Sequence, residues 1–362
     1  MTDYHTRRFF AASNSCRGFC NYYGDVFADE RTDRLYIIKG GPGTGKSHFM
    51  KEVARYARSR GFRVTEYACS SDPHSLDGIL LSKPGTPPRG LLDGTAPHVR
   101  EPSLPGAKEE IINLGAFWDG NRLSGQRAVI RSLGEGKAVA YGRAYAYLAA
   151  CGEVERAADS LLAGCVREDK IRALAGRLLR DQPWGEGFSA IPALRRAVSM
   201  TGACCLHTFE AEAYAAGGPI LCLTDYYGVG YYVMAALLAL SEEKSLSVLV
   251  SYDPVYPHKI DGLYYPDTHS CILLGHTELP EGATSRVVSL RRYVDPDVLR
   301  GVRGELRHAV GMRDRLIESA LHELSAAAKY HFELEKIYAA AMDFRAKEAF
   351  TRSFCEELFG GE

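Results

Sequence analysis

The run Gly40-Gly41-Pro42-Gly43-Thr44-Gly45-Lys46-Ser47 has the residue types and spacing of a phosphate-binding loop. Its glycines let the backbone turn with N–H groups facing inward. Lys46 neutralises the β- and γ-phosphates of a nucleoside triphosphate, and Ser47 offers its hydroxyl to magnesium. The cofactor-binding run extends from Gly40 to His48, and Lys46 is also the first catalytic candidate, since charge develops on a phosphoryl group in transfer.

Such chemistry needs a second magnesium anchor, normally an aspartate ending a strand beside the loop's own strand. Asp93 is the first choice, after Leu91 and Leu92 and before the turn at Gly94. Pro87, Pro88 and Gly90 make its strand short. Asp72, in Ser70-Ser71-Asp72-Pro73 after a strand at Arg63 to Cys69, is the alternative metal ligand, although Asp before Pro is also an ordinary turn former. His98 is a candidate for orienting water or accepting a proton, with a structural histidine as the competing expectation. Glu109 and Glu110 are expected to open a helix that carries Asn113, where acidic residues also suit the helix dipole. Arg122, Arg127, Arg131 and Arg143 lie on a helical segment, and nothing in the sequence selects one of them to reach a phosphate.

The elements that must hold these groups are legible around the loop. Leu35 to Ile38 suits a buried strand, and His48 to Arg58 suits a helix whose N-terminus faces the phosphates. The second half of the chain echoes the first in order. Arg7-Arg8-Phe9-Phe10 is matched by Arg195-Arg196-Ala197-Val198, and Tyr36-Ile37-Ile38 through Gly45 by Leu221-Cys222-Leu223 through Gly230. Ser71-Asp72-Pro73 with Asp77-Gly78 is matched by Tyr252-Asp253-Pro254 with Asp261-Gly262. Each half ends in an alanine-rich helical region. Tyr231 and Tyr232 are expected at the positions of Lys46 and Ser47, which removes the phosphate chemistry from the second copy. Tyr226, Tyr227, Tyr231 and Tyr232 are expected to pack in a core or an interface.

The P-loop, Cys69-Ser70-Ser71-Asp72-Pro73, Asp77-Gly78, Asp93-Gly94-Thr95-Ala96-Pro97-His98, Asn113-Leu114-Gly115, Leu334-Glu335-Lys336-Ile337-Tyr338 and Ala341-Met342-Asp343 together resemble a family of bacterial two-module P-loop proteins described as ATP-binding or ATPase-like. The resemblance covers nearly the whole chain. It implies two P-loop modules and ATP binding, and it supplies no physiological substrate. A P-loop often recurs in both halves of that family, so the loss at Tyr231 and Tyr232 is a departure.

The expected fold is α/β: duplicated P-loop NTPase-like modules with mainly parallel sheets, the second loop degenerate, and a helical hairpin projecting from each. The modules are expected at 1–185, with a helical insert at about 120–180, and at 186–362, with a C-terminal hairpin at about 295–358. Glycines 134, 136 and 142 make the first projection the less regular one. The hairpins suit packing on each other, on another protein or on a second copy.

At 362 residues, with 46% hydrophobic and 25% charged content, the chain can bury two cores. A net charge of −1 offers no global field for nucleic acid or an anionic membrane. Ile220 to Leu240 is long enough to span a bilayer but is broken by Asp225 and a Gly-Tyr turn, so a buried strand, turn and helix is expected. Ten cysteines without a CxxC pair suit a reducing cytoplasm. Cys16, Cys20, Cys204 and Cys205 have poor zinc spacing. The leading functional expectation is a magnesium-dependent ATPase whose cycle drives a conformational switch. A small-molecule or nucleotide kinase, with Asp72, His74 or Asp77 holding the acceptor, and a non-catalytic nucleotide sensor are the alternatives.

Overall fold

The computed structural model describes residues 6–29, 31–180, 195–197, 217–225, 227–275 and 285–360. Val198, Cys204, Cys205 and Tyr226 lie outside them. Two compact units form. One takes the described parts of 1–11, 23–144 and 321–362, and the other takes 12–22 and the described parts of 145–320. The units are not two successive stretches of chain, because the long helices Arg127–Ala163 and Pro296–Ala340 each contribute residues to both, and the expected boundary at 185/186 lies outside the described residues.

Along the chain come β1 (Thr6–Phe10) and then β2 (Ala12–Ser15) and β3 (Gly18–Asn21), an antiparallel hairpin of the second unit. The first unit resumes with α1 (Tyr23–Val26), β4 (Arg34–Lys39), α2 (Lys46–Ser59), β5 (Arg63–Ala68), β6 (Leu76–Lys83), β7 (Thr86–Asp93) and β8 (Glu109–Asn113). Helices α3 (Gly120–Gly125) and α4 (Arg127–Ala163) follow. Its sheet has the order β1-β5-β6-β7-β4-β8, parallel at β1–β5, β7–β4 and β4–β8 and antiparallel at the two pairings of β6. Leu35, Ile37 and Ile38 of β4 are fully buried, as a continuous apolar run between two parallel neighbours requires.

Three local expectations change. β7 is a full eight-residue strand, because Pro87 and Pro88 fall at its start, where a missing ladder donor is tolerated. Glu109 and Glu110 open strand β8 rather than a helix, with Glu109 opposite Leu35. Helix α4 runs unbroken through glycines 134, 136 and 142. A Cβ at Gly136 would lie 2.6 Å from the ring of Tyr330, so that glycine permits a close approach rather than a break.

The second unit continues with α5 (Glu168–Arg180), β9 (Arg195–Ala197), β10 (Ile220–Thr224), α6 (Val229–Glu243), β11 (Leu249–Tyr252), β12 (Ile260–Tyr265), β13 (Ser270–Leu274) and β14 (Ser285–Ser289). Helices α7 (Pro296–Ala340) and α8 (Phe344–Phe359) close the chain. The second sheet has the order β9-β11-β12-β13-β10-β14, parallel at β9–β11, β13–β10 and β10–β14. Counted by appearance, both six-stranded sheets follow the order first, third, fourth, fifth, second, sixth. The irregularities agree as well: the ladder skips Asp77 where Tyr67 faces Gly78 and Ala68 faces Leu76, and it skips Asp261 where Ser251 faces Gly262 and Tyr252 faces Ile260. The Ile220 to Leu240 run is a strand, a turn and a helix, and no helix among the described residues is long and apolar enough to cross a membrane.

Counted from the helix start, Tyr231 and Tyr232 do not stand where Lys46 and Ser47 stand. Helix α2 begins at Lys46 after the left-handed Gly45, and α6 begins at Val229 after the left-handed Gly228. The loop before α6 is shorter, so Val229 and Gly230 take the first two helical positions. Tyr231 instead donates to Asp253 Oδ2 at 2.7 Å. Tyr227 and Tyr232 pack against the second unit's core, as a packing role requires.

That core encloses ionisable groups. Lys259 Nζ donates to Glu155 Oε1 at 2.6 Å and Asp159 Oδ1 at 2.7 Å, and Arg313 donates to Glu155 Oε2 at 3.0 Å. Asp261 has no cation, and its Oδ1 has no hydrogen-bond partner among the described residues. Burial first, and then the nearby Asp253 charge, push its carboxyl up to about 7. A carboxyl raised on folding favours the folded state while protonated, so stability contributed by neutral Asp261 is lost as pH rises from about 4 through about 7. Asp261→Asn is expected to raise the melting temperature at pH 8 by about 2–4 °C or more and to change it little at about pH 3.5, below the unfolded carboxyl value. Thermal unfolding at the two pH values checks this.

Candidate functional site

The loop between β4 and α2 has the backbone that its sequence demands. Gly43 and Gly45 are left-handed, with φ of 71° and 77°, conformations that cost a residue bearing Cβ about 1–2 kcal/mol. A Cβ at Gly43 would also lie 2.4 Å from the Glu335 carbonyl oxygen of α7. Thr44 Oγ1 donates back to the Gly41 carbonyl at 3.0 Å and closes the turn. Lys46 Nζ donates to the carbonyls of Gly40 and Gly41, each at 2.9 Å. Ser47 Oγ accepts from the Leu76 N–H at 2.9 Å, which ties the start of α2 to the start of β6.

Asp93 ends β7, directly beside the loop's strand, with Ile38 opposite it in the ladder. Its Oδ2 lies 3.5 Å from Lys46 Nζ, while Oδ1 accepts from the Thr95 N–H at 2.9 Å and the Thr95 hydroxyl at 2.6 Å. Lys39, the last residue of β4, donates to the carbonyls of Gly94 and Arg100 and to Glu101. Gly94 is required for closeness, since a Cβ there would lie 2.4 Å from Ile37. The turn after Asp93, which contains a cis Ala96–Pro97 peptide bond, folds back so that His98 Nδ1 donates to the Asp93 carbonyl at 2.8 Å.

His98 Nε2 faces Asp77 Oδ2 at 3.4 Å, and Tyr23 OH donates to that same oxygen at 3.0 Å. Asp77 is the residue skipped by the β5–β6 ladder, and such a bulge re-aims a side chain. Burial works against a charged imidazolium, but the Asp77 carboxylate, with Asp93, outweighs it and raises His98 above the ordinary histidine value. Asp77, Asp93 and His98 are all buried, and each offers one ligand atom within 4.8 Å of the others. Two carboxylates and an imidazole whose other nitrogen is held by a backbone carbonyl are a donor set suited to a divalent cation.

The remaining sequence candidates separate cleanly. Both oxygens of Asp72 serve its own turn, accepting from the His74 N–H and the Ser75 hydroxyl. Glu109 accepts from Arg100, from the Ser103 hydroxyl and from the N–H groups of Ser103 and Leu104. Glu110 pairs with Arg34 at 2.9 Å. Asn113 Oδ1 caps the turn that follows it, and Arg122, Arg127, Arg131 and Arg143 are exposed.

Several residues that the motif did not name also border the loop. The rings of Trp118 and Tyr338 meet in a tilted contact with centroids 5.3 Å apart, and they lie 3.2 Å and 3.4 Å from where a Gly41 Cβ would be. The indole N–H of Trp118 has no partner among the described residues. Lys137 of α4 contacts His331 Nδ1 at 3.2 Å, and its ammonium is pushed down by burial and by the Lys46 charge. Their sequence separation from the loop hides them, and only Lys39, as the end of the loop's strand, carries a local signal.

Glu109 generates a stability expectation. Burial opposes its ionisation, yet Arg100 and the N–H donors of Leu104 and Ser103 hold its carboxyl down to about 2. A depressed carboxyl stabilises the fold above its unfolded value of about 4.3 and loses that contribution as pH falls toward about 2. Glu109→Ala is expected to cost about 3 kcal/mol at pH 7, because Arg100 and three further donors lose their acceptor. Chemical denaturation at pH 7 and pH 3 measures both effects, and the mutational cost shrinks at the lower pH. No protein-family model matches this chain, and neither a curated protein nor a solved structure does.

Proposed function

We propose that this chain binds a nucleoside triphosphate, ATP, together with magnesium through residues 40–48, and couples occupancy and hydrolysis of that nucleotide to a conformational switch. The observation that carries the reading is the placement of Asp93. It ends the strand paired with the loop's own strand, and its free oxygen faces Lys46 at 3.5 Å. Lys46 leaves the loop carbonyls for the phosphates, and Ser47 and Asp93 hold the metal ion, with Asp77 and His98 behind them as a further set of donors. The left-handed glycines and the N–H groups opening α2 supply the cradle.

The same reading makes the second unit a duplicated P-loop module whose site has decayed. Its support is the common strand order and the common bulge at Asp77 and Asp261. Where a phosphate would meet the start of α6, Asp225 Oδ2 accepts from the Gly230 N–H at 3.0 Å and Oδ1 from the Tyr227 N–H at 3.2 Å. A carboxylate of the chain's own thus takes the place of the anion.

A second reading, a nucleotide sensor without turnover, draws on a specific observation. Glu109, Asp72 and both ring nitrogens of His98 already have partners within the protein, so none of these three candidates stands as an unengaged base for an attacking water.

Calorimetric titration with a panel of nucleotides is the test. The expected result is one triphosphate per chain, with affinity reduced at least about tenfold in Lys46→Ala. Equal affinity of that variant and wild type would overturn the assignment. Asp93→Asn is expected to keep metal-free binding and to lose the magnesium dependence; retention of full magnesium dependence would remove Asp93 as the anchor. Phosphate release by the wild type selects the hydrolase, and binding without release selects the sensor.

A further inference from the structure

Helix α8 carries a charge where its pattern calls for an apolar side chain. Its inner stripe runs Lys347, Thr351, Cys355, Phe359, four residues apart, and all four are buried, with Lys347 only 2% exposed. Phe350 of the same helix stacks on Phe49 of α2 and Phe354 meets it at a tilt, with 6.1 Å and 5.3 Å between ring centroids. That packing fixes the start of α8 against the start of α2. The Lys347 ammonium ends beside the phosphate loop: it contacts His48 Nδ1 at 3.2 Å, and a Cβ at Gly45 would lie 3.3 Å from it. No carboxylate among the described residues lies within ion-pair distance of it, and burial pushes its charge equilibrium toward the neutral amine against the weaker pull of the Glu348 and Glu52 charges. A lysine confined this way is costly, and a methionine of similar length would fill the same space without the penalty.

The geometry points to Lys347 as a second phosphate-binding cation of the nucleotide site, supplied by the C-terminal helix to the His48 side of the loop. This rests on the nucleotide reading above. The counter-charge that the buried ammonium lacks is then the phosphate chain itself, held between the N–H groups of the first turn of α2 and the ammonium of α8. Lys46 itself is paired with Asp93 and with the carbonyls of Gly40 and Gly41. A nucleotide seated there ties α8 to α2, so the C-terminal helix registers whether phosphate is present.

The test compares the full-length wild type, Lys46→Ala, Lys347→Met and Lys347→Arg by calorimetry with ATP and with inorganic tripolyphosphate, and by thermal unfolding without ligand. Lys347→Met is expected to bind both ligands about ten- to a hundredfold more weakly, while its ligand-free melting temperature stays the same or rises. Lys347→Arg is expected to restore most of the affinity. If Lys46→Ala loses binding and Lys347→Met binds as the wild type does, the second cation is overturned and the nucleotide site stands. A loss confined to ATP, with tripolyphosphate bound normally, places Lys347 on the base or ribose and overturns the phosphate assignment. A wild type that binds neither ligand removes both readings.

Discussion

Lys46 and Asp93 are withdrawn from water together, with side chains 13% and 11% exposed, and each supplies the counter-charge the other needs. Neither position makes sense alone. The lysine is set by the left-handed glycine before α2, and the aspartate by the parallel register that puts it opposite Ile38. A slip of one residue in that ladder would turn Asp93 to the other face of the sheet and leave the lysine buried without an acid. The Lys39 clamp on Gly94 and Arg100 and the fold-back of His98 onto the Asp93 carbonyl hold the end of that strand. Much of the first unit's polar structure therefore serves to fix one carboxylate beside one loop.

Buried charge is handled in three ways within this chain, and the differences carry functional meaning. Glu109 is surrounded by donors and stays ionised. The Glu155, Lys259, Arg313 and Asp159 group of the second unit is mutually paired. Asp261 and Lys347 have no opposite charge bonded to them among the described residues. A satisfied network contributes to a unique packing, whereas a buried ionisable group without its counterpart costs stability and persists only where something else selects it. In the first unit that exception lies against the glycine loop before α2, which is why it is informative there.

The two sheets share a strand order, and they part at the point where chemistry would occur. In the first unit the N–H groups that open α2 are left facing a loop lined by glycine and lysine. In the second, Asp225 bonds the Gly230 N–H, and a Cβ at Gly230 would lie 2.0 Å from Leu274. Leu274 ends β13 beside Leu223 much as Asp93 ends β7 beside Ile38. An apolar residue stands where the first unit has the acid, and a carboxylate of the chain itself bonds an N–H group at the start of the helix.

How far the sequence could be read follows from the range of the forces involved. Hydrophobic runs and glycines at fixed spacing act within a few residues, so the strand before Gly40, the turn and the helix from Lys46 were legible, as was the strand-turn-helix at Ile220 to Leu240. Asp93 could be proposed because it follows Leu91 and Leu92. Its partner could not, since which strand lies next to β4 is decided by pairing across the sheet. The β-strand at Glu109 was read as a helix start because local propensity favours acids there, and the tertiary ladder overrode it. The unbroken α4 escaped because Gly136 is specified by the ring of Tyr330, nearly two hundred residues away. Asp77 at a bulge, and Lys137 and Lys347 near the loop, likewise depend on contacts between distant segments. The sequence by itself determined that a tight glycine loop joins a buried strand to a helix here and which residues compose it. Only the tertiary structure decided which acids and cations surround it, because charges are placed by sheet register and helix packing rather than by their neighbours in the chain.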